Sequence, residues 1–280
     1  MSVTALEVAL RRDRVIVLVA LLAIAGLAWA YVWWLADDMA MGGMDMSGFR
    51  MIPAGQGLMM PAVDPWQPVE FMFVFVMWAI MMVGMMTPSV APMVLLYARV
   101  GRQAATQGKT FANTGWFLSG YLISWFVFSL FATGVQWILE RAALLNPLME
   151  SSSYFFGGSV LVAAGVYQWT PLKDACLRQC QSPLQFIQRH GGFRRKAIQS
   201  VWLGARHGIY CVGCCWTIMV LLFVVGVMNV LWIASLSILI LVEKIAPGGR
   251  AISRLAGIGF IATGAWLLET AAWASGPPFH

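Results

Sequence analysis

"IYCVGCCWTIMVLLFVVGVMNVLWIASLSILILV", residues 209–242, is apolar at almost every position, and its reading decides how the rest of the chain is counted. As a single helix it would be about 50 Å long at 1.5 Å per residue, far more than the roughly 30 Å of hydrocarbon that one span has to cross. The run therefore reads as two helices, 209–228 and 229–245, joined by a tight reversal near Met228 and Asn229. The same criterion, runs of about 20 apolar residues, gives further candidate spans at 15–35, 69–97, 115–139, 154–170 and 255–274. The expected fold is all-α, a polytopic transmembrane helical bundle of about seven helices.

Composition points the same way. Of the 280 residues, 60% are hydrophobic and 11% charged, against about a quarter charged in soluble domains. The net charge of +6 matters less than where the charge lies. With the N-terminus cytoplasmic, every one of the 18 Lys and Arg residues except Arg50 and Arg141 falls in an inner segment. That is the asymmetry of the positive-inside rule. The expected location is a bacterial inner membrane, multi-pass, with the C-terminus periplasmic and the lipid bilayer as a partner. The chain has no phosphate loop, no basic stripe interleaved with aromatics, no Ser-His-Asp pattern and no paired carboxylates. Nucleic acid is not an expected partner, hydrolysis is not an expected activity, and a non-enzyme is favoured.

The expected organisation is one membrane domain, 1–280. It comprises an N-terminal anchor helix (1–36), a periplasmic Met-rich loop (37–68) and a six-helix core (69–280) with an inner Cys-containing loop at 171–208. The "RRDR" start and "AWA" at 28–30 could mark a signal peptide, but the apolar run 15–35 exceeds a usual signal core, which favours a retained anchor. Within the inner loop, 186–208 has the pattern of an amphipathic helix lying on the membrane face.

Sulfur carries the functional signal. "DDMAMGGMDMSG", residues 37–48, sets Met39, Met41, Met44 and Met46 among glycines and aspartates. Thioether is a soft, neutral ligand that selects Cu(I) and needs no deprotonation. Met59 and Met60 follow before the second span. There, Met77, Met81 and Met85 repeat every four residues with Met82 and Met86 beside them, so they form stripes on a helix face. Such stripes also simply pack irregular cores. Pro88 and Pro92 remove two backbone donors from the same helix. All five cysteines then fall toward the inner side. "DACLRQC" holds Cys176 and Cys180, and "RHGIYCVGCCW" holds His207, Cys211, Cys214 and Cys215 at the start of the fifth span. Spacings of three and four put most of each set on one helical face. A reducing cytoplasm argues against disulfides there. Two or three thiolates suit Cu(I), and four N/S donors suit Zn²⁺. Zinc leaves the methionines without a role, whereas copper accounts for both sets.

The stretches "MMTPSVAPMVLLYARV" (85–100), "YQWTPLKDACLRQCQSP" (167–183) and "HGIYCVGCCWTIMVLLFVVGVMN" (207–229) resemble a bacterial family of predicted metal-binding integral membrane proteins. The resemblance runs from the second span to the seventh. It implies a helical membrane protein with a metal site, and the cysteines matching its signature are Cys176, Cys180, Cys211, Cys214 and Cys215. The outer methionines lie outside that signature. The expected function is Cu(I) handling, by import or by delivery to a membrane metalloenzyme. Zinc stapling in an accessory subunit of a larger membrane complex is the alternative, with a redox or electron-carrier protein as a third.

Overall fold

The computed structural model describes residues 5–40, 49–54, 59–61, 64–108, 112–146, 149–192 and 196–274. Among these it is helical apart from one short hairpin. In chain order the elements are α1 (Ala5–Ala40), β1 (Phe49–Met51), β2 (Met59–Pro61), α2 (Pro68–Thr106), α3 (Thr114–Arg141) and α4 (Tyr154–Tyr167). They continue with α5 (Pro171–Gln181), α6 (Pro183–Arg189), α7 (Ala197–Val220), α8 (Leu222–Val225), α9 (Val230–Ile245) and α10 (Gly249–Ala274). The hairpin pairs Arg50 with Met60 in an antiparallel register, inside the segment expected to be a Met-rich loop.

Among the described residues, five helices are long and apolar enough to cross a membrane: α1, α2, α3, α7 with its continuation into α8, and α10. Helices α4 and α9, with 14 and 16 residues, reach about 21 and 24 Å, short of a full hydrocarbon core. The expected span 154–170 ends early for a local reason. Thr170 caps α5 by accepting from the Lys173 amide, and Pro171 occupies the first turn, where its missing N–H costs nothing. The segment 171–208 is not a loop. It holds α5, α6 and the first turns of α7, because "KAIQSVWLGARHG" keeps an apolar stripe through its charges.

The reversal expected near Met228 lies at Gly226–Asn229. Gly226 has φ 99°, a left-handed conformation, and a Cβ there would meet the Glu150 side chain at 2.9 Å. Asn229 then caps α9 through the Trp232 amide. Lys244, near the end of α9, lies beside Cys211 of α7, so the chain has turned back on itself.

Glycines set the two tightest helix pairs. A Cβ on Gly120 of α3 would fall on the Val201 carbonyl, and one on Gly204 of α7 would fall on the Phe117 carbonyl. One on Gly208 would come within 2.6 Å of Ser124 Cβ. Phe117 lies against His207 and Tyr121 against Cys211, so α3 and α7 run parallel with their backbones touching. This is the small-residue packing used where apolar helices have no water to escape from. Helices α4 and α10 make a second such pair, antiparallel, through Gly158, Gly165, Gly257 and Gly264. Helix α2 lies antiparallel to α3. Trp78 Nε1 donates to Gln136 Oε1 at 2.8 Å near one end, and the Tyr97 ring stacks on Phe117 near the other. Gln136 in turn donates to Glu140, which also accepts from Trp66 Nε1 at 3.0 Å.

Side chains pointing away from the bundle are apolar, among them Leu27, Val127, Leu231 and Trp266, all more than 60% exposed. Such an exterior in water would be an aggregation liability. Replacing Gly204 with valine should lower the unfolding midpoint of detergent-solubilised protein by the equivalent of at least ~1–3 kcal/mol. Gly134→Ala, where a Cβ meets nothing within 4 Å, should leave the midpoint unchanged or raise it. Equal midpoints for both variants would contradict the α3–α7 contact.

Candidate metal centre

Helices α5 and α7 meet along their cysteines. The Cys176 sulfur lies over Gly213, where a Cβ would approach it to 2.9 Å. One turn further along α5, Cys180 Sγ stands 4.0 Å from Cys214 Sγ. Cys211, Cys214 and Cys215 are all buried on α7. Cys214 and Cys215 also donate to the Cys211 carbonyl, at 3.1 and 2.8 Å. All five cysteines are free thiols. Two sulfurs bound to one ion through bonds of about 2.3 Å lie roughly 3.8 Å apart in a tetrahedron and about 4.6 Å apart in a line. The Cys180–Cys214 separation falls within that range. Among the described residues, no three His, Cys, Asp or Glu side chains stand ready-arranged around a single ion position. Loading would therefore need rotamer changes at these thiols. Burial pushes the Cys176 thiol above its ordinary range.

The cluster lies deeper in its helix than the sequence suggests. Because α7 begins at Ala197, Cys211 is about 21 Å along the axis rather than at its start. His207 is buried one turn before Cys211, among the rings of Phe117, Tyr121 and Phe186. Its Nδ1 makes no hydrogen bond among the described residues.

Sequence reading missed the polar groups that close the centre. Lys244 Nζ donates to Cys211 Sγ at 2.8 Å and to Ser89 Oγ at 3.1 Å, with the residue only 7% exposed. An ammonium buried this far is costly unless it is paired and hydrogen-bonded, and sulfur and hydroxyl provide those contacts. In the sequence Lys244 stands at the end of an apolar run. It enters the bundle because α9 is short. Its neighbour Glu243 is buried and paired. Glu243 accepts from Lys173 Nζ at 2.8 Å, and Lys173 also donates to Gln168, which accepts from Ser253 Oγ at 2.9 Å. With Gln181 Nε2 donating to the Glu243 carbonyl at 2.7 Å, this network fastens α5 to the end of α9.

Five of the methionines of α2 face inward. Met77, Met81, Met82, Met85 and Met86 are each 1% exposed or less. Helix α2 continues unbroken through Pro88 and Pro92, and neighbouring helices use carbonyls near the prolines. Ser237 Oγ donates to Met85 O at 3.3 Å, and Tyr121 OH donates to Met86 O at the same distance. The Tyr121 hydroxyl also touches Cys211 Sγ at 3.1 Å, so one hydroxyl bridges the α2 backbone at Met86 and an α7 thiol. Met39 is buried at the end of α1 with Met51 of β1. Met41, Met44 and Met46 lie outside the described residues.

A sequence profile described as that of a copper chaperone family, PpoB2, matches residues 75–267. Nothing among the curated proteins or the solved structures matches the chain. The matched segment runs from the methionine-bearing part of α2 through every cysteine to the far end of α10, well over half of the sequence. The chain belongs to the PpoB2 copper chaperone family.

Proposed function

We infer that this protein carries Cu(I) as cargo within a bacterial inner membrane, importing it or delivering it to a membrane metalloenzyme. The observation that carries the reading is the Tyr121 hydroxyl, which touches the Met86 carbonyl and the Cys211 sulfur at once. That hydroxyl puts the backbone of the methionine-bearing helix within one side chain of a buried thiol.

In this reading Met39, Met41, Met44 and Met46 capture the ion. Met77, Met81, Met82, Met85 and Met86 pass it inward, and Cys176, Cys180, Cys211, Cys214 and Cys215 with His207 receive it. Thioether binds Cu(I) more weakly than thiolate does, so each step leads toward stronger ligands without other input. The membership in a copper chaperone family weighs for copper over zinc. Zinc would engage the thiolates and leave the inward-facing methionines without a part.

The orientation follows from charge and from helix direction. Parallel α3 and α7 require the chain to return between them, and α4 with α5 makes that return. The reversal at Gly226 makes α9 a second return before α10. With the N-terminus in the cytoplasm, this gives seven passes and keeps the basic residues inside. The short helices α4 and α9 are then packed against longer neighbours, which shield their ends from lipid.

Combined replacement of Cys211, Cys214 and Cys215 by serine should reduce copper in the purified protein from stoichiometric to background. Full stoichiometry in a variant that still elutes as a single folded species would remove the receiving site. Replacing Met81 and Met85 by leucine preserves volume, and each change should cost less than about 1.5 kcal/mol in stability. It should slow copper loading of protein in vesicles at least tenfold when Cu(I) is supplied from the methionine-bearing side, leaving final stoichiometry unchanged. An unaltered loading rate would reduce the stripe to packing.

A further inference from the structure

On the side of α5 turned away from the thiols, two hollows adjoin. One, of about 490 Å³, is lined by Arg178, Arg189 and Arg250 together with Gln181 and Ser182. The other, of about 580 Å³, shares Gln181 and Arg250 and adds Arg254 and Trp169. Four guanidinium groups from three helices thus surround one continuous depression. Among the described residues, Asp174 is the one carboxylate in ion-pair range of them, 3.5 Å from Arg254. Arg254 also lies over the Trp169 ring, 5.8 Å from its centroid. Beyond Arg254 the wall turns apolar through Leu255 and Ile258, both more than half exposed on α10.

We propose that this depression binds the headgroup of an anionic phospholipid bearing two phosphates, of the cardiolipin class. Guanidinium groups pair with phosphate oxygens through two parallel hydrogen bonds, and basic hollows between helices on the cytoplasmic side are where such headgroups settle. Each hollow takes one phosphate, with Arg250 between them, and the acyl chains run along Leu255 and Ile258 on the outer face of α10. A soluble acidic partner would match the arginines but not the apolar wall that continues from them. The inference rests on the membrane reading above, with this end of α10 at the inner face. It gives α5 two different sides: thiols toward α7 and arginines toward the headgroup.

The test uses the full chain reconstituted into vesicles of phosphatidylcholine with and without cardiolipin, extracted gently and examined by native mass spectrometry for retained lipid. The expected result is at least tenfold preferential retention of cardiolipin over phosphatidylcholine. Arg178→Gln combined with Arg250→Gln should abolish the preference. Arg141→Gln at the opposite end of the bundle should not. Equal retention of both lipids, persistence of the preference in the double variant, or displacement of cardiolipin by millimolar inorganic phosphate would overturn the lipid assignment. Alkaline carbonate extraction of the same vesicles separates the two levels of failure. A chain that stays in the bilayer but shows no preference refutes this proposal alone, whereas a chain released by carbonate refutes the membrane reading beneath it.

Discussion

Backbone contact between α3 and α7 is the constraint on which the rest of the structure depends. Gly120, Gly204 and Gly208 let the two helices approach until the carbonyl of one lies where the Cβ of the other would be. At that separation Tyr121 reaches across to Cys211, and Phe117 and Tyr121 close over His207. With larger residues at these positions the helices would stand further apart and the tyrosine would lose the sulfur. The glycines therefore act on the proposed metal centre without touching it. Where lipid replaces water there is little hydrophobic gain in bringing helices together, so close packing of this kind carries much of the association.

The second organising fact is where polarity sits. The exterior is apolar, and the charged groups Lys173, Glu243 and Lys244 are each 7% exposed or less. A buried ion pair is weak evidence for stability, because desolvation offsets much of the attraction. Its geometric consequence here is plainer. Lys173 and Gln181 tie α5 to the end of α9, and Lys244 ties α9 to Cys211 and to Ser89 of α2. Four helices thus converge on the sulfurs through directional contacts, whereas apolar packing alone would leave their rotation about their own axes less fixed.

Much of this could be read from the sequence. The 3.6-residue stripe of Met77, Met81 and Met85 predicted a common face, and the helix presents that face inward. The spacing of Cys211, Cys214 and Cys215 predicted a shared helical face, and all three are buried on α7; the excessive length of 209–242 predicted a reversal close to where Gly226 makes it. Other features were not legible. Lys196 and Arg206 disguised the first turns of α7 as loop, since charge at a helix end and charge in a connection look alike in one dimension. That error moved the cysteines toward the inner surface. Lys244 and Tyr121 were invisible as partners of Cys211 because they lie 33 and 90 residues away, and helix pairing, not local pattern, brings them in. The lengths of α4 and α9 depend on Thr170, Pro171 and Asn229 as caps, which hydropathy alone does not weigh.

The account depends on soft sulfur donors converging on one monovalent ion. Copper-edge X-ray absorption on protein purified from its native membrane, with metal content measured on the same sample, tests that most directly. The account predicts one copper per chain, in the Cu(I) state, with a first shell made of sulfur alone or of sulfur with one imidazole nitrogen. Stoichiometric zinc with copper at trace level, or a copper shell dominated by oxygen, would contradict it.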